Sequence, residues 1–307
     1  MHDMVFRNVH SPKDMSPKWE AAHRELLQNV EQHPLVSQYE GSVHAVLDGQ
    51  KVYLPAYIPY TGPAYFEYRP RVLCYAINQN LSPHVPWTKD WVNRWGTDIE
   101  QARDRLNRAV QEGMAIPIRP YAEGFIPLLA LMANSRWIQT HGGLLPETID
   151  DVVAVTNFVK FSTAKDASSS SIPNIWWKEC GSLYVEHEIR VLQPDIILGF
   201  GQKTLTELRR VLRSHGLSCH DPELLGCRFP ARMASIKSRP LSSEEAKIWN
   251  AEIFPFIDRI RERKKSSYHK WKIQNFPGYF IDVLTSWDCA LRNGKRRLSS
   301  AGFEQGY

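Results

Sequence analysis

The feature that most constrains this chain is a set of short, mainly apolar runs separated by longer stretches of helical period. Val72-Leu73-Cys74-Tyr75-Ala76-Ile77, residues 151–158 and Asp195-Ile196-Ile197-Leu198-Gly199-Phe200 are each about one strand long. They carry no polar alternation, as expected of strands buried on both faces. Between and after them, residues 99–112, 125–133, 180–192, 203–215 and 243–263 show the spacing of helices. Gly216 can stop the fourth of these, and Ser242 or Ser243 can cap the fifth, with Glu244 and Glu245 favouring its positive end. Strands alternating with helices imply an α/β fold. We expect a three-layer α/β/α arrangement around a mostly parallel four-stranded central sheet, with residues 232–236 as the fourth strand.

The flanks read differently. Residues 16–32 predict a helix capped by Ser16, with Pro17 in its first turn. Residues 41–63 predict short strands that turn at Asp48-Gly49. Residues 1–68 are therefore an N-terminal elaboration, residues 69–263 the α/β domain, and residues 264–307 a basic C-terminal extension.

Composition narrows the function classes. The chain has 307 residues and 43% hydrophobic content, enough for a sizeable core. No apolar run approaches the ~20 residues that span a bilayer, and the N-terminus has no secretory h-region, so a cytoplasmic address is expected. The 5 cysteines include no Cys-x-x-Cys pair, which argues for buried thiols over disulfides, zinc or an iron–sulfur cluster. The net charge of +5 permits a polyanionic partner without requiring one. Two basic clusters stand out. One, within residues 259–272, interleaves cations with Tyr268 and Trp271 and reads equally as a phosphate contact or as a solvated helix end. The other, Arg292 to Arg297, reads as a loose tail.

In a parallel sheet the ligand crevice lies beyond the carboxyl ends of the strands, so four loops carry the candidate site. Asn78 follows the first strand and can hold a water by its side-chain carbonyl, although an amide is no strong base. Asn157 closes the second, where one acceptor and two donors suit a base edge. After the third, Gly199-Phe200-Gly201-Gln202-Lys203-Thr204 suits a phosphate at a helix start. Before the last helix, Lys237-Ser238-Arg239-Pro240-Leu241-Ser242 sets two cations beside an apolar tip. Taken singly, each also fits a turn, a cap or core packing.

The four loops in this order resemble the motif set of the uracil-DNA glycosylase superfamily, over roughly residues 71–263. Ile77 and Asn78-Gln79-Asn80-Leu81-Ser82 are similar to the Gly-Ile-Asn-Pro-Gly-Leu-Ser motif of the mismatch-specific branch. Thr156-Asn157-Phe158-Val159-Lys160 resembles the Thr-Asn-Val-Val-Lys stretch of the thermophilic branches, and residues 179–201 are similar to those branches as well. Pro240-Leu241-Ser242 matches the end of the superfamily's His-Pro-Ser-Pro-Leu-Ser loop.

The resemblance implies hydrolysis of an N-glycosidic bond to a base flipped out of single- or double-stranded DNA, by a monomer without metal or cofactor. Asn78 would orient the water, and Lys237 or Ser238 would stabilise the departing base. Asn157, Ile77 and Gln79 would read the base. Lys203, Ser238, Arg239, Pro240, Leu241 and Ser242 would hold the DNA, with Leu241 wedged into the stack. Departures matter. Gln79-Asn80 replaces Pro-Gly, Lys237 replaces the final His, and Trp87 and Trp91 are the candidates for the aromatic that blocks thymine in one branch. Only Cys180 falls where the cluster-bearing branches place a cysteine. These changes leave open a uracil or modified-pyrimidine substrate, a hypermodified viral cytosine in antiviral defence, an inactive DNA-binding relative, or an α/β enzyme that holds a nucleotide phosphate at residues 199–204.

Overall fold

A computed structural model describes residues 16–33, 44–47, 50–53, 58–78, 151–160, 172, 174–214, 222–227, 239–263 and 277–300. The predicted helices at 99–112 and 125–133 and the predicted strand at 232–236 lie outside the described residues.

The central sheet follows from the apolar runs. Strands β4 (Val72–Asn78), β5 (Val153–Val159) and β6 (Ile196–Phe200) pair in parallel and bury residues of both faces. A fourth parallel strand, β7 (Glu223–Cys227), pairs with β6, and β3 (Tyr60–Thr61) runs antiparallel along β5. The order is β3-β5-β4-β6-β7. The sheet thus has 5 strands where four were expected. The extra edge strand comes from the segment read as N-terminal elaboration. A separate hairpin joins β1 (His44–Leu47) to β2 (Gln50–Tyr53) in antiparallel register.

One sheet face is covered by helices. Helix α1 (Pro17–Gln32) begins at the Ser16 cap, whose hydroxyl accepts from the Trp19 amide. Helix α2, residues 174–192, runs through an α segment Asn174–Cys180, a π turn Gly181–Val185 and an α segment Glu186–Leu192. Such a turn displaces backbone groups from the usual helical ladder. Here the Leu183 carbonyl accepts from Asn29 Nδ2 of α1 at 2.9 Å. Helix α3 (Gln202–Ser214) connects β6 to β7 and must run back from the carboxyl edge to the amino edge. Leu26 and Val30 of α1 share one core with Leu73, Tyr75, Phe158, Trp177, Ile189, Ile197 and Leu208. The N-terminal helix is therefore built into the same core as the sheet.

Helix α4, residues 243–263, contains Ser243–Ile248, a π turn Trp249–Ile253 and Phe254–Arg263. Helix α5 (Pro277–Ser300) contains the Arg292 to Arg297 segment, which the charge run had suggested was a loose tail. The physical reason is an apolar stripe ahead of the charges. Phe280, Ile281, Leu284 and Trp287 are buried, and Trp287 Nε1 donates to the Gly226 carbonyl at 3.1 Å. Among the described residues no helix is long and apolar enough to cross a membrane.

Candidate functional site

The parallel strands run in the spatial order β5-β4-β6-β7, so the chain reverses its direction of travel across the sheet between β4 and β6. Such a switch point leaves a crevice beyond the strand ends, because successive connections leave in opposite directions. The two loops that flank it follow Asn78 and Phe200.

Asn78 is the last residue of β4 and stands opposite Val159. Asn157 lies on the adjacent strand, opposite Ala76, with 2% exposure. The two asparagines therefore approach one edge of the sheet from neighbouring strands. On the other side of β4, Gly201 adopts φ +90, where a side chain would be strained. A Cβ there would lie 3.7 Å from Ile77 Cδ1, so the turn into α3 closes against the end of β4. Gly199 has a different reason to be small: a Cβ would meet Leu205 Cδ2 at 2.7 Å, which fits close helix packing better than phosphate approach.

At the start of α3, Lys203 is partly exposed. Its Nζ pairs with Glu207 at 2.8 Å and lies 5.8 Å from the Trp177 ring centroid. The Thr204 hydroxyl is fully buried and has no hydrogen-bond partner among the described residues. A helix N-terminus beside a partly exposed cation has the chemistry to accept an anion, whereas the Thr204 hydroxyl is sealed from solvent.

The Thr156–Lys160 stretch divides by strand alternation. Thr156, Phe158 and Lys160 face α2, while Asn157 faces the other way. Lys160 is fully buried; its Nζ reaches Glu188 Oε1 at 2.5 Å and donates to Thr156 Oγ1 at 2.6 Å. The Tyr75 hydroxyl donates to Glu188 Oε2 at 3.0 Å. Burial pulls the Lys160 ammonium below the ordinary lysine range and pushes the Glu188 carboxyl up, with their mutual attraction opposing both. Burial also pushes the neighbouring Cys180 thiol up to about 12, so it stays protonated and inert as a nucleophile. This lysine braces the sheet against α2. Sequence reasoning missed the network, although one signal was present: Glu188 falls within the buried stripe Tyr184, Val185, Ile189 and Leu192 of α2.

The last loop is held by Arg239. Its guanidinium forks between Glu245, at 2.6 and 2.9 Å, and Asp282 of α5, at 2.6 and 3.0 Å. Glu245 completes a capping box with Ser242, which is the N-cap of α4. These hydrogen bonds, Arg239 foremost and then the Ser242 amide, hold the Glu245 carboxyl down at about 2. A Cβ on Gly278 of α5 would lie 2.2 Å from the Arg239 carbonyl oxygen, so the two backbones touch only because residue 278 is glycine. Between these anchors Pro240 is exposed and Leu241 half-buried. Arg239 thus spends its donors within the protein, a role that its place in a basic loop had not suggested. The side chain of Asn78, together with Gln79, Lys237 and Ser238, lies outside the described residues.

No known family model matches this chain, and no curated protein matches it significantly.

Proposed function

We propose that the protein is a DNA glycosylase that hydrolyses the N-glycosidic bond of a flipped-out uracil or modified pyrimidine and leaves an abasic site. The observation that carries this reading is the register of β4 and β5. It sets Asn78 at a strand end beside the topological switch point and Asn157 on the next strand. A water-holding amide and a base-reading amide on neighbouring strands suit an attack on C1′ while the base is held by its edge. Bond breaking passes through an oxocarbenium-like state, with negative charge gathering on the departing base. A preorganised cation such as Lys237 serves that charge. Extrusion of the nucleotide costs a few kcal/mol, which Leu241 offsets by filling the gap. The anion-accepting start of α3 at Lys203 is suited to a phosphate of the same strand. The three-layer arrangement belongs to this reading, as do DNA as the partner, a monomeric state and cytoplasmic residence.

The test is incubation with DNAs that each carry one unusual base, followed by alkali cleavage of abasic sites and mass analysis of the released base. Base release by the wild type is expected to fall by roughly 10² or more in Asn78→Ala, with DNA binding kept, because water positioning acts on the transition state. Asn157→Asp should lose rate and base preference, since unpaired buried groups cost about 1–3 kcal/mol each. No released base from any substrate, or an Asn78→Ala variant as fast as wild type in single turnover, defeats the assignment.

A further inference from the structure

Helix α3 concentrates the cationic character of the chain. Its segment Gln202–Ser214 holds one lysine, three arginines and one glutamate, a net +3 within a protein of net +5. The inner face is the apolar stripe Leu205, Leu208 and Val211, all buried. The outer face runs Gln202, Thr206, Arg209, Arg213, each exposed and spaced four, three and four residues apart, so it forms one line down the helix. Beside that line lies an open groove of about 390 Å3 lined by Thr206, Arg209, Arg210, Arg213 and Ser214.

Two features set this groove apart from an ordinary solvated helix face. Arg210 is paired with Glu207 at 2.6 Å, but Arg209 and Arg213 make no ion pair or hydrogen bond with the described residues, although Glu207 lies on the same helix. Three arginines, Arg209, Arg210 and Arg213, also line one shared concavity. Arg209 and Arg213 are separated along the axis by ~6 Å, the rise of four helical residues. Planar forks at that spacing suit successive phosphates, which they can engage in bidentate fashion.

The line has a direction. Because α3 starts at the carboxyl edge and runs back, Gln202 and Lys203 stand at the proposed crevice while Arg213 stands ~15 Å further along the helix, at the far end. A duplex seated across the carboxyl edge cannot turn down that flank, since its persistence length is about 50 nm. A single strand can. We infer that the outer groove of α3 binds the phosphate backbone of a single-stranded segment that leads away from the crevice. This rests on the glycosylase reading for where the strand comes from, but not for the binding itself.

The test compares wild type with the Arg209→Ala/Arg213→Ala variant by fluorescence anisotropy. Three labelled probes are used: a single strand of about 6 nucleotides, one of about 25, and a duplex of about 25 base pairs. The variant is expected to bind the long single strand roughly tenfold more weakly, and to lower its salt slope by about 1.4, twice the ~0.7 that each single-strand phosphate contact contributes. The short strand should lose no more than the long one, and the duplex and the thermal melt should be unchanged. Equal binding of the long strand by both proteins, or an equal loss on the duplex, overturns the inference. So does displacement of the long strand by polyglutamate as readily as by unlabelled strand, which assigns the groove to an acidic protein. If the glycosylase reading alone is wrong, no base is released from any of the DNAs that carry an unusual base, while the arginine-dependent binding of the long strand persists.

Discussion

Two ion networks frame this molecule, and they differ in what surrounds them. Lys160, Tyr75 and Thr156 of the sheet meet Glu188 of α2 with almost no exposure, whereas Arg239, Glu245 and Asp282 tie a surface loop to α5, with side chains 43%, 24% and 54% exposed. The polar chemistry is alike: a cation against a carboxylate oxygen at 2.5–2.6 Å. Its meaning is not. In the interior the ions have lost their water, so the pair is held in place by what its rupture would leave behind. At the surface water can replace either partner, and the pair contributes little to stability. The first network serves the fold; the second decides where a loop sits.

The largest expected effect follows from the buried network. Lys160→Met should destabilise the protein by about 3–5 kcal/mol, because it strands Glu188 as an uncompensated buried carboxylate. Adding Glu188→Gln should recover most of that loss, since glutamine can still accept from Tyr75 without a charge. Chemical denaturation of wild type, single and double variants reads this directly. A single variant as stable as wild type would mean that water reaches the pair, and the contrast between the networks would collapse.

A smaller effect tests the exposed network. Arg239→Ala and Asp282→Ala should each leave the thermal melt close to that of wild type, and closer still in high salt. Both should slow base release by a similar factor, on the order of tenfold, because each frees the Pro240-Leu241-Ser242 turn from α5. Salt titrations of DNA binding separate this from direct contact. A phosphate contact by Arg239 adds about 0.9 to the slope on duplex DNA, so its loss in Arg239→Ala but not in Asp282→Ala would identify Arg239 as a DNA ligand instead.

The contrast also explains what the sequence made legible. The runs at β4, β5 and β6 were readable because strands buried on both faces need no partner to look apolar. Ser16 and Ser242 were readable because caps are local. Strand β7 was hidden: Glu223-Leu224-Leu225-Gly226-Cys227 is short, carries a glycine and has no β-branched residue, so only its pairing with β6 makes it a strand. Helix α5 was overlooked because its basic end drew more notice than the stripe from Phe280 to Trp287. Asn157 could be nominated from its place at the close of a strand. The Lys160–Glu188 pair could not, because the partners are 28 positions apart in the sequence and meet only once α2 is laid over β5. Arg239 posed the converse problem. Nothing local to the basic loop shows that Asp282, 43 positions further on, pairs with this cation.

The smallest effect, and the one that most sharpens the comparison, is the response to acid. Glu245 is held at about 2, below the ~4.3 of an unfolded glutamate. A depressed carboxylate gives stability that is present above the unfolded value and lost as pH falls through the folded one, so its contribution should fade between about pH 4.3 and 2. Glu188 has the opposite sign. Burial raises its folded value, so its favourable contribution is present below about pH 4.3 and is lost as pH rises through the raised value. Acidification therefore loosens the surface tie while it lightens the interior's burden. Melting temperatures from pH 5 to 2 should fall less steeply in Glu245→Gln than in wild type, and the difference between the two should shrink in high salt, since Glu245 is exposed enough to be screened. If the two proteins lose stability in parallel over that range at low salt, the Arg239–Glu245 contact does not persist in solution, and Leu241 is then presented by Pro240 and the Ser242 cap alone.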